Sequence, residues 1–236
     1  MPLQQALEGA YVAGWRAARV GAERAGVLER LESRDGRGAA HLRSLFAIHD
    51  VADMIHLDLA WWTYDAIATV EEHLAARGGQ ARVFEYGAGA SSAWLARRAH
   101  EVTSVEHDEG FADFLDTRLD PSWSVDLRVV PPTPSEAPAV PSQRRGQEAL
   151  DFSRYVHAID DVPGGFDLVV VDGRARVACA RHALGRLAPD GLMLLDNANR
   201  AEYAPVVTDP SLDVRVTRGA TPCLPYPTST ALIRRR

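Results

Sequence analysis

The spacing of apolar positions changes several times along this chain. From residue 82 to residue 108 it reads as strand, turn, helix, strand. Arg82–Tyr86 is a short apolar run of strand type, and Gly87-Ala88-Gly89 follows with almost no side-chain bulk. Ser91 and Ser92 stand where a helix N-cap belongs, ahead of good helix formers over Ala93–Arg98. Glu101–Glu106 then alternates as a second strand and closes on Glu106-His107-Asp108. Ser124–Val130 alternates again, with Val125, Leu127 and Val129 on one face. Phe166–Val171 and Leu192–Leu195 are near-continuous apolar runs, the pattern of strands buried on both faces, and they end on Asp172 and on Asp196-Asn197. Helical spacing over 109–119 and 177–187 fills the intervals. Val214–Arg218 and Ser229–Ile233 are two last short strands with a Gly/Pro-rich connection. Strands alternating with helices predict an α/β fold on a mostly parallel sheet.

Upstream of residue 61 the pattern is helical. Leu3, Leu7, Ala10, Tyr11 and Gly14 share one face, as do Val20, Val27, Leu28 and Leu31, with Arg16, Arg19 and Arg24 on a solvated side. Residues 1–60 therefore read as an N-terminal helical extension that caps the sheet or pairs with a second copy of the chain. Gly36-Arg37-Gly38 interrupts it, and another helix starts near Ala39. His49, Asp53 and His56, at i, i+4 and i+7, would share one helix face as a metal site, a proton relay or a polar rim. Trp61-Trp62-Thr63-Tyr64 either walls a pocket or packs in the core, ahead of a helix over Asp65–Leu74. Residues 131–145 are too proline-rich for helix or strand and read as a mobile insertion rather than a lid. Phe152–Ile159 is a short helix carrying Tyr155 and His157.

A glycine turn after the first strand of a βαβ unit is a nucleotide-type cofactor site, because unpaired helix N–H groups face the ligand there. Glu106, 19 residues after Gly87, is placed to accept hydrogen bonds from ribose hydroxyls. Ser92 replaces the third glycine of the dinucleotide pattern, and Glu85, two residues before Gly87, suits a cationic ligand. In an open parallel sheet ligands lie beyond the carboxyl ends of the strands, which puts Asp172 at the same edge.

Composition removes several classes. All 26 basic residues are arginine, so lysine Schiff bases, a Walker lysine and a Tyr-x-x-x-Lys pair are excluded. A net charge of −6 argues against nucleic acid as partner. No apolar run is long enough for a membrane span, and the N-terminus lacks the apolar core of a signal peptide. Cys179 and Cys223 read as free thiols in a reducing cytoplasm.

VFEYGAGASS, VTSVEHD, FDLVVVDGRARVACARHAL and LLDNANRAEY resemble motif I, the acidic loop and motifs IV and VI of the class I S-adenosylmethionine (SAM) dependent methyltransferases, in particular a little-described bacterial group. The resemblance covers roughly Trp62 to Asn197. It implies a Rossmann-like seven-stranded sheet with helices on both faces, the last two strands supplying an antiparallel hairpin, and a SAM-binding domain over 61–236. It also implies methyl transfer, for which the acidic chain favours a small-molecule acceptor and the catechol-type pattern given below a hydroxyl oxygen. Glu85, Tyr86, Gly87, Gly89, Ser91, Ser92, Glu106, His107 and Asp172 would hold SAM. Asp172, with His49 and Arg174, would act at the acceptor; His56 and His157 are other candidate bases. Asp172, Asp196 and Asn197 match in type and place the Mg²⁺ ligands of catechol-type O-methyltransferases, whose lysine is absent here; capping or substrate hydrogen bonding would use the same residues. Arg174, Arg176 and Arg200 form either an anion-binding rim or ordinary surface ion pairs. A nicotinamide-dependent oxidoreductase and a non-catalytic SAM-fold interaction subunit are the alternatives.

Overall fold

The structure, a computed structural model, describes residues 14–15, 17–142, 144 and 146–236. Five strands, β1 (Arg82–Tyr86), β2 (Glu101–Glu106), β3 (Val125–Val129), β6 (Phe166–Val171) and β7 (Leu187–Asp196), run parallel. Two more follow, β8 (Leu212–Gly219) and β9 (Thr228–Arg235). The sheet has seven strands in the order β3-β2-β1-β6-β7-β9-β8, with β9 antiparallel to both its neighbours. Strand order reverses at β1, so the crevice between β1 and β6 is the switch point where such sheets bind ligands.

Alternation sorts the central strands into two cores. Phe84, Tyr86, Val169, Val171, Met193 and Leu195 face one side, under α7 (Ser153–His157), α8 (Arg176–Ala183) and α9 (Ala204–Val207). Val83, Leu168, Val170, Leu192 and Leu194 face the other, under α4 (Tyr64–Ala75) and α5 (Ala90–Ala96). The N-terminal segment, α1 (Val27–Glu32), α2 (Arg37–Leu45) and α3 (Val51–His56), joins a third core. There Ile48, Met54 and Ile55 pack on Ala90 and Ala93 of α5. The expected helix face at Leu3, Leu7, Ala10 and Tyr11 lies outside the described residues, as does Arg16.

Several elements differ from the sequence reading. Ser91 and Ser92 are not the N-cap of α5. Gly89 is, and the Ser92 hydroxyl accepts its N–H at 3.1 Å from inside the first turn. β7 starts at Leu187, ahead of the apolar run over Leu192–Leu195, with Pro189-Asp190-Gly191 inside it and a register shift against Phe166 and Leu168. The proline-rich segment carries a strand, β4 (Thr133–Pro134), paired with β5 (Leu150–Asp151). Ala139 N–H also donates to Asp151 at 2.6 Å, and Phe152 N–H to the Val140 carbonyl at 2.9 Å. The insertion is therefore pinned at both ends. Arg19 is no solvated residue, since it pairs with Glu23, Asp50 and Asp53.

Gly87 and Gly173 decide how closely β1 and β6 approach beyond their last pairs. Gly87 has φ +92, and a Cβ there would lie 2.5 Å from the Gly173 Cα. A Cβ on Gly173 would strike the Tyr155 hydroxyl and the Gly87 backbone. The glycine turn is thus required by backbone packing.

Candidate active site

A cavity of about 880 Å³ opens at the carboxyl edge of the sheet. Gly87, Ala88, Gly89 and Ser91 form its floor, and Glu106, His107, Asp108 and Phe111 form one wall. Asp172, Arg174, Arg176, Asp196, Asn197 and Arg200 form the other. Ile48, His49, Val51, Met54 and Trp61 cover it from the N-terminal segment, and Arg144 and Gln147 reach in from the pinned insertion. The size is within the ordinary range for a small-ligand site.

Glu106 stands at the end of β2 with its carboxylate held. The N–H groups of His107 and Asp108 donate to its Oε1 at 2.8 and 2.9 Å, and the His107 ring nitrogen Nδ1 lies beside the same oxygen. Asp108 in turn caps α6 (Glu109–Asp116) by accepting from Phe111 N–H at 2.8 Å. The loop is thereby tied down by its own backbone N–H donations.

Glu85 is not where the motif puts it. Its side chain is fully buried below the glycine turn and does not reach the cavity. The hydroxyls of Ser91, Ser92 and Ser104 donate to its carboxylate, the last at 2.6 Å. Glu85 is an inward-facing residue of β1, on the same face as Val83, so alternation sends it into the sheet–helix interface. A direct contact between Glu85 and a bound ligand is therefore corrected to support of the turn from beneath. Tyr86 and Ser92 are likewise fully buried outside the cavity wall, Tyr86 donating to the Val156 carbonyl at 2.7 Å.

Burial lifts the Glu85 carboxyl to about 7 in spite of the donors Ser104, Ser91 and Ser92. The folded chain then keeps a proton that the unfolded chain releases near 4.5. The stability this gives is complete below that unfolded value and is lost as pH rises towards 7, a loss of roughly 3 kcal/mol. Glu85→Gln is neutral throughout. Its urea-unfolding free energy is expected to fall less than that of the wild type between about pH 5 and about pH 8. Equal slopes for the two proteins would show that Glu85 is ionised in the folded state well below 7.

Arg176, the first residue of α8, binds the ends of β6 and β7 together. Its guanidinium donates to the carbonyls of Asp172 at 2.6 Å, Gly173 at 3.1 Å and Asp196 at 2.8 Å, and pairs with the Asp172 carboxylate at 2.7 Å. Burial alone would lower its pKa, but Asp172, Tyr203 and Asp196 outweigh that and hold it above its usual range. Burial raises Asp172, though Arg176, Arg200 and Arg174 draw it down. Burial and the neighbouring Asp172 charge push Asp196 to about 7.

This arrangement does not fit the Mg²⁺ site of the sequence reading. Both oxygens of Asp196 already accept hydrogen bonds, from the Thr230 hydroxyl at 2.8 Å and from the Asn197 side-chain amide. Asp196 is only 4% exposed. The Arg176 guanidinium already meets the Asp172 carboxylate, the Asp196 carbonyl and, at 3.4 Å, the Asn197 side-chain oxygen, whereas Mg²⁺ demands near-octahedral oxygen donors. Asp172, Asp196 and Asn197 are therefore a hydrogen-bonding cluster beside the Arg176 cation.

The His49, Asp53, His56 trio does not assemble either. Asp50 caps α3 by accepting from Asp53 N–H at 3.0 Å, so the helix starts at Val51 and His49 precedes it with φ +55. Asp53 is taken by Arg43 through two hydrogen bonds of 2.9 and 2.7 Å. His56 is exposed, 3.9 Å from Glu32. His49 alone reaches the cavity, edge-on to Trp61 with ring centroids 5.2 Å apart. Trp62, the adjacent aromatic, is fully buried against Trp94. His157 lies away from the cavity with Asp160 and His182. Among the described residues these three are the group whose donor atoms could share an ion, but the Arg186 guanidinium already stands 3.5 Å from Asp160. Ile48, Met54, Leu224 and Tyr226 of the cavity carry no sequence signal. They are brought in by the N-terminal segment and the β8–β9 connection.

Sheet order, antiparallel last strand and ligand edge together are the fold of the class I SAM-dependent methyltransferases. An O-methyltransferase from Bacillus cereus in complex with SAH is similar to the chain at 15% identity and a TM-score of 0.56, over 95% of this chain and 100% of that one. The O-methyltransferase TomG from Streptomyces achromogenes, involved in tomaymycin synthesis and solved with SAM, is similar at 16% identity and a TM-score of 0.53, over 86% and 91%. No protein-family model and no curated protein matches the sequence.

Proposed function

We propose that this protein transfers a methyl group from SAM to a hydroxyl oxygen of a small molecule. The reading is carried by one observation: the glycine turn, the anchored Glu106 carboxylate and Asp172 meet in a single cavity at the switch point of a methyltransferase-type sheet. The residues present fit a sulfonium nucleoside. Glu106 accepts the ribose hydroxyls, and Gly87 and Gly89 give its methionine end a surface without side chains. Ser91 and His107 complete the contact. Bound SAM supplies an electrophilic methyl, so the chain must align a nucleophile, exclude water and remove a proton.

Asp172 and His49 both line the cavity, and either can take the hydroxyl proton. Burial raises Asp172 and so makes it a better acceptor than an exposed carboxylate. Arg174 orients an anionic part of the acceptor. The N-terminal segment, which exposes Val20 and Leu42, is the surface assigned to a second copy of the chain. The buried free thiols Cys179 and Cys223 accord with the cytoplasm. Among the described residues no helix is long and apolar enough to cross a membrane.

Calorimetric titration tests the cofactor. SAM and SAH are expected to bind with micromolar affinity and NADH not at all. Binding of NADH without SAM would move the protein to the oxidoreductases. Binding of SAM with no transfer to any hydroxylated acceptor would leave a SAM-fold interaction subunit.

A further inference from the structure

A second cavity, of about 820 Å³, adjoins the first and shares with it His49, Trp61, Arg144, Gly173, Arg174, Arg176 and Arg200. It extends away from the glycine turn, between the pinned insertion and the first turns of α8. Its charges are lopsided. Arg144, Arg174, Arg176, Arg181 and Arg200 line it against one carboxylate, Glu202. In a chain of net charge −6 this concentration is not the average surface.

The arginines differ in what they already bind. Arg176 is spent on Asp172 and three carbonyls. Arg174 is not, for its Nε is buried with no hydrogen-bond partner. Burial, and then the neighbouring Arg144, lower the pKa of Arg174, so the cluster holds like charges together at a cost. Among the described residues Arg181 has Asp209 in its field, and Arg200 donates to the Tyr203 hydroxyl at 3.5 Å with Asp172 in its field. A buried donor without an acceptor is costly unless a ligand completes it. Val140, Pro141, Val177 and Tyr203 supply apolar wall between the charges.

We propose that this lobe binds the oxyanion of an acidic acceptor, a carboxylate or phosphate ester that also bears the hydroxyl to be methylated. Arg174 is the central contact, with Arg144 and Arg200 flanking it, because a guanidinium fork matches either oxyanion. The hydroxyl then points through the shared mouth at Gly173 towards Asp172. Calling the ligand an acceptor rests on the methyl-transfer reading; the anion site itself does not.

The test titrates SAH-saturated protein with 4-hydroxybenzoate, phenyl phosphate and neutral 4-hydroxybenzamide. At least one anion is expected to bind about tenfold tighter than the amide, with affinity that falls as salt rises. The stronger of the two anions separates carboxylate from phosphate. Arg174→Gln is expected to abolish the preference. Arg181→Gln, which lines only this lobe, should reduce it about threefold and leave SAH affinity unchanged. Equal binding of acid and amide, no binding of either anion, or an undiminished preference in Arg174→Gln overturns the proposal. If SAH itself does not bind, the methyl-transfer reading fails, and the same titration on SAH-free protein still decides the anion site.

Discussion

Arg176→Met is expected to lower the stability of this protein by about 3–5 kcal/mol, the cost of removing one partner from a buried ion pair. For a domain of this length that is a fall in Tm of roughly 10 °C or more. The guanidinium satisfies three carbonyls at the ends of β6 and β7 and compensates the carboxylate of Asp172, with Asp196 close by. Methionine fills the volume and satisfies none of them. Arg176→Lys should recover little, because one ammonium cannot serve these directions together. The defect should be smaller in acid, where Asp172 and Asp196 protonate and no longer need a cation. Thermal melts at several pH values check this, and a variant that melts within a degree of the wild type would show that Arg176 does not hold the two strand ends. From the same Arg176 contacts, SAM binding and turnover are expected to be unchanged by EDTA or by added Mg²⁺. Loss of turnover on chelation would mean that the guanidinium moves aside for a metal.

The second large effect belongs to Glu106. A carboxylate that accepts both ribose hydroxyls makes two charge-assisted hydrogen bonds, each worth about 1.5–3 kcal/mol. Glu106→Ala is expected to weaken SAH binding by about 100-fold or more. It also removes the acceptor of two backbone N–H groups, so some stability goes with it. Glu106→Gln separates the two roles. Its amide oxygen still accepts from His107 and Asp108, while the charge is gone, and about tenfold weaker binding with a nearly unchanged Tm is expected. Calorimetry beside a thermal melt reads both quantities. SAH affinity unaltered in both variants would remove Glu106 from the cofactor site and with it the placement of the nucleoside.

The strands were legible because their signal is local. β1 and β2 run over the same residues that the apolar pattern marks, and β6 and β7 are recognisable by burial on both faces. The place of Asp172 and Glu106 on the cavity wall was legible for a related reason. A residue just past the carboxyl end of a parallel strand is at the ligand edge whatever the loops do. Side chains within elements were less so. Glu85 looks like a ligand contact in the motif, but its position in β1 points it at Ser91, Ser92 and Ser104. His49 shares helical spacing with Asp53 and His56, yet one capping aspartate moves the helix start past it.

From the chain alone follow the α/β class, the parallel core strands, the glycine turn between β1 and α5, and the acids at the strand ends. Each depends on neighbours within one element or one turn, where periodicity and sterics act. Only the tertiary structure decided that Arg176 meets the Asp172 carboxylate and the Asp196 carbonyl, and that Gly87 must be glycine to clear Gly173. The same holds for the pinned insertion, which carries Arg144 to the arginines of α8. Those outcomes join segments far apart in sequence. They turn on distances of a few ångströms between side chains, and no period or composition encodes such distances.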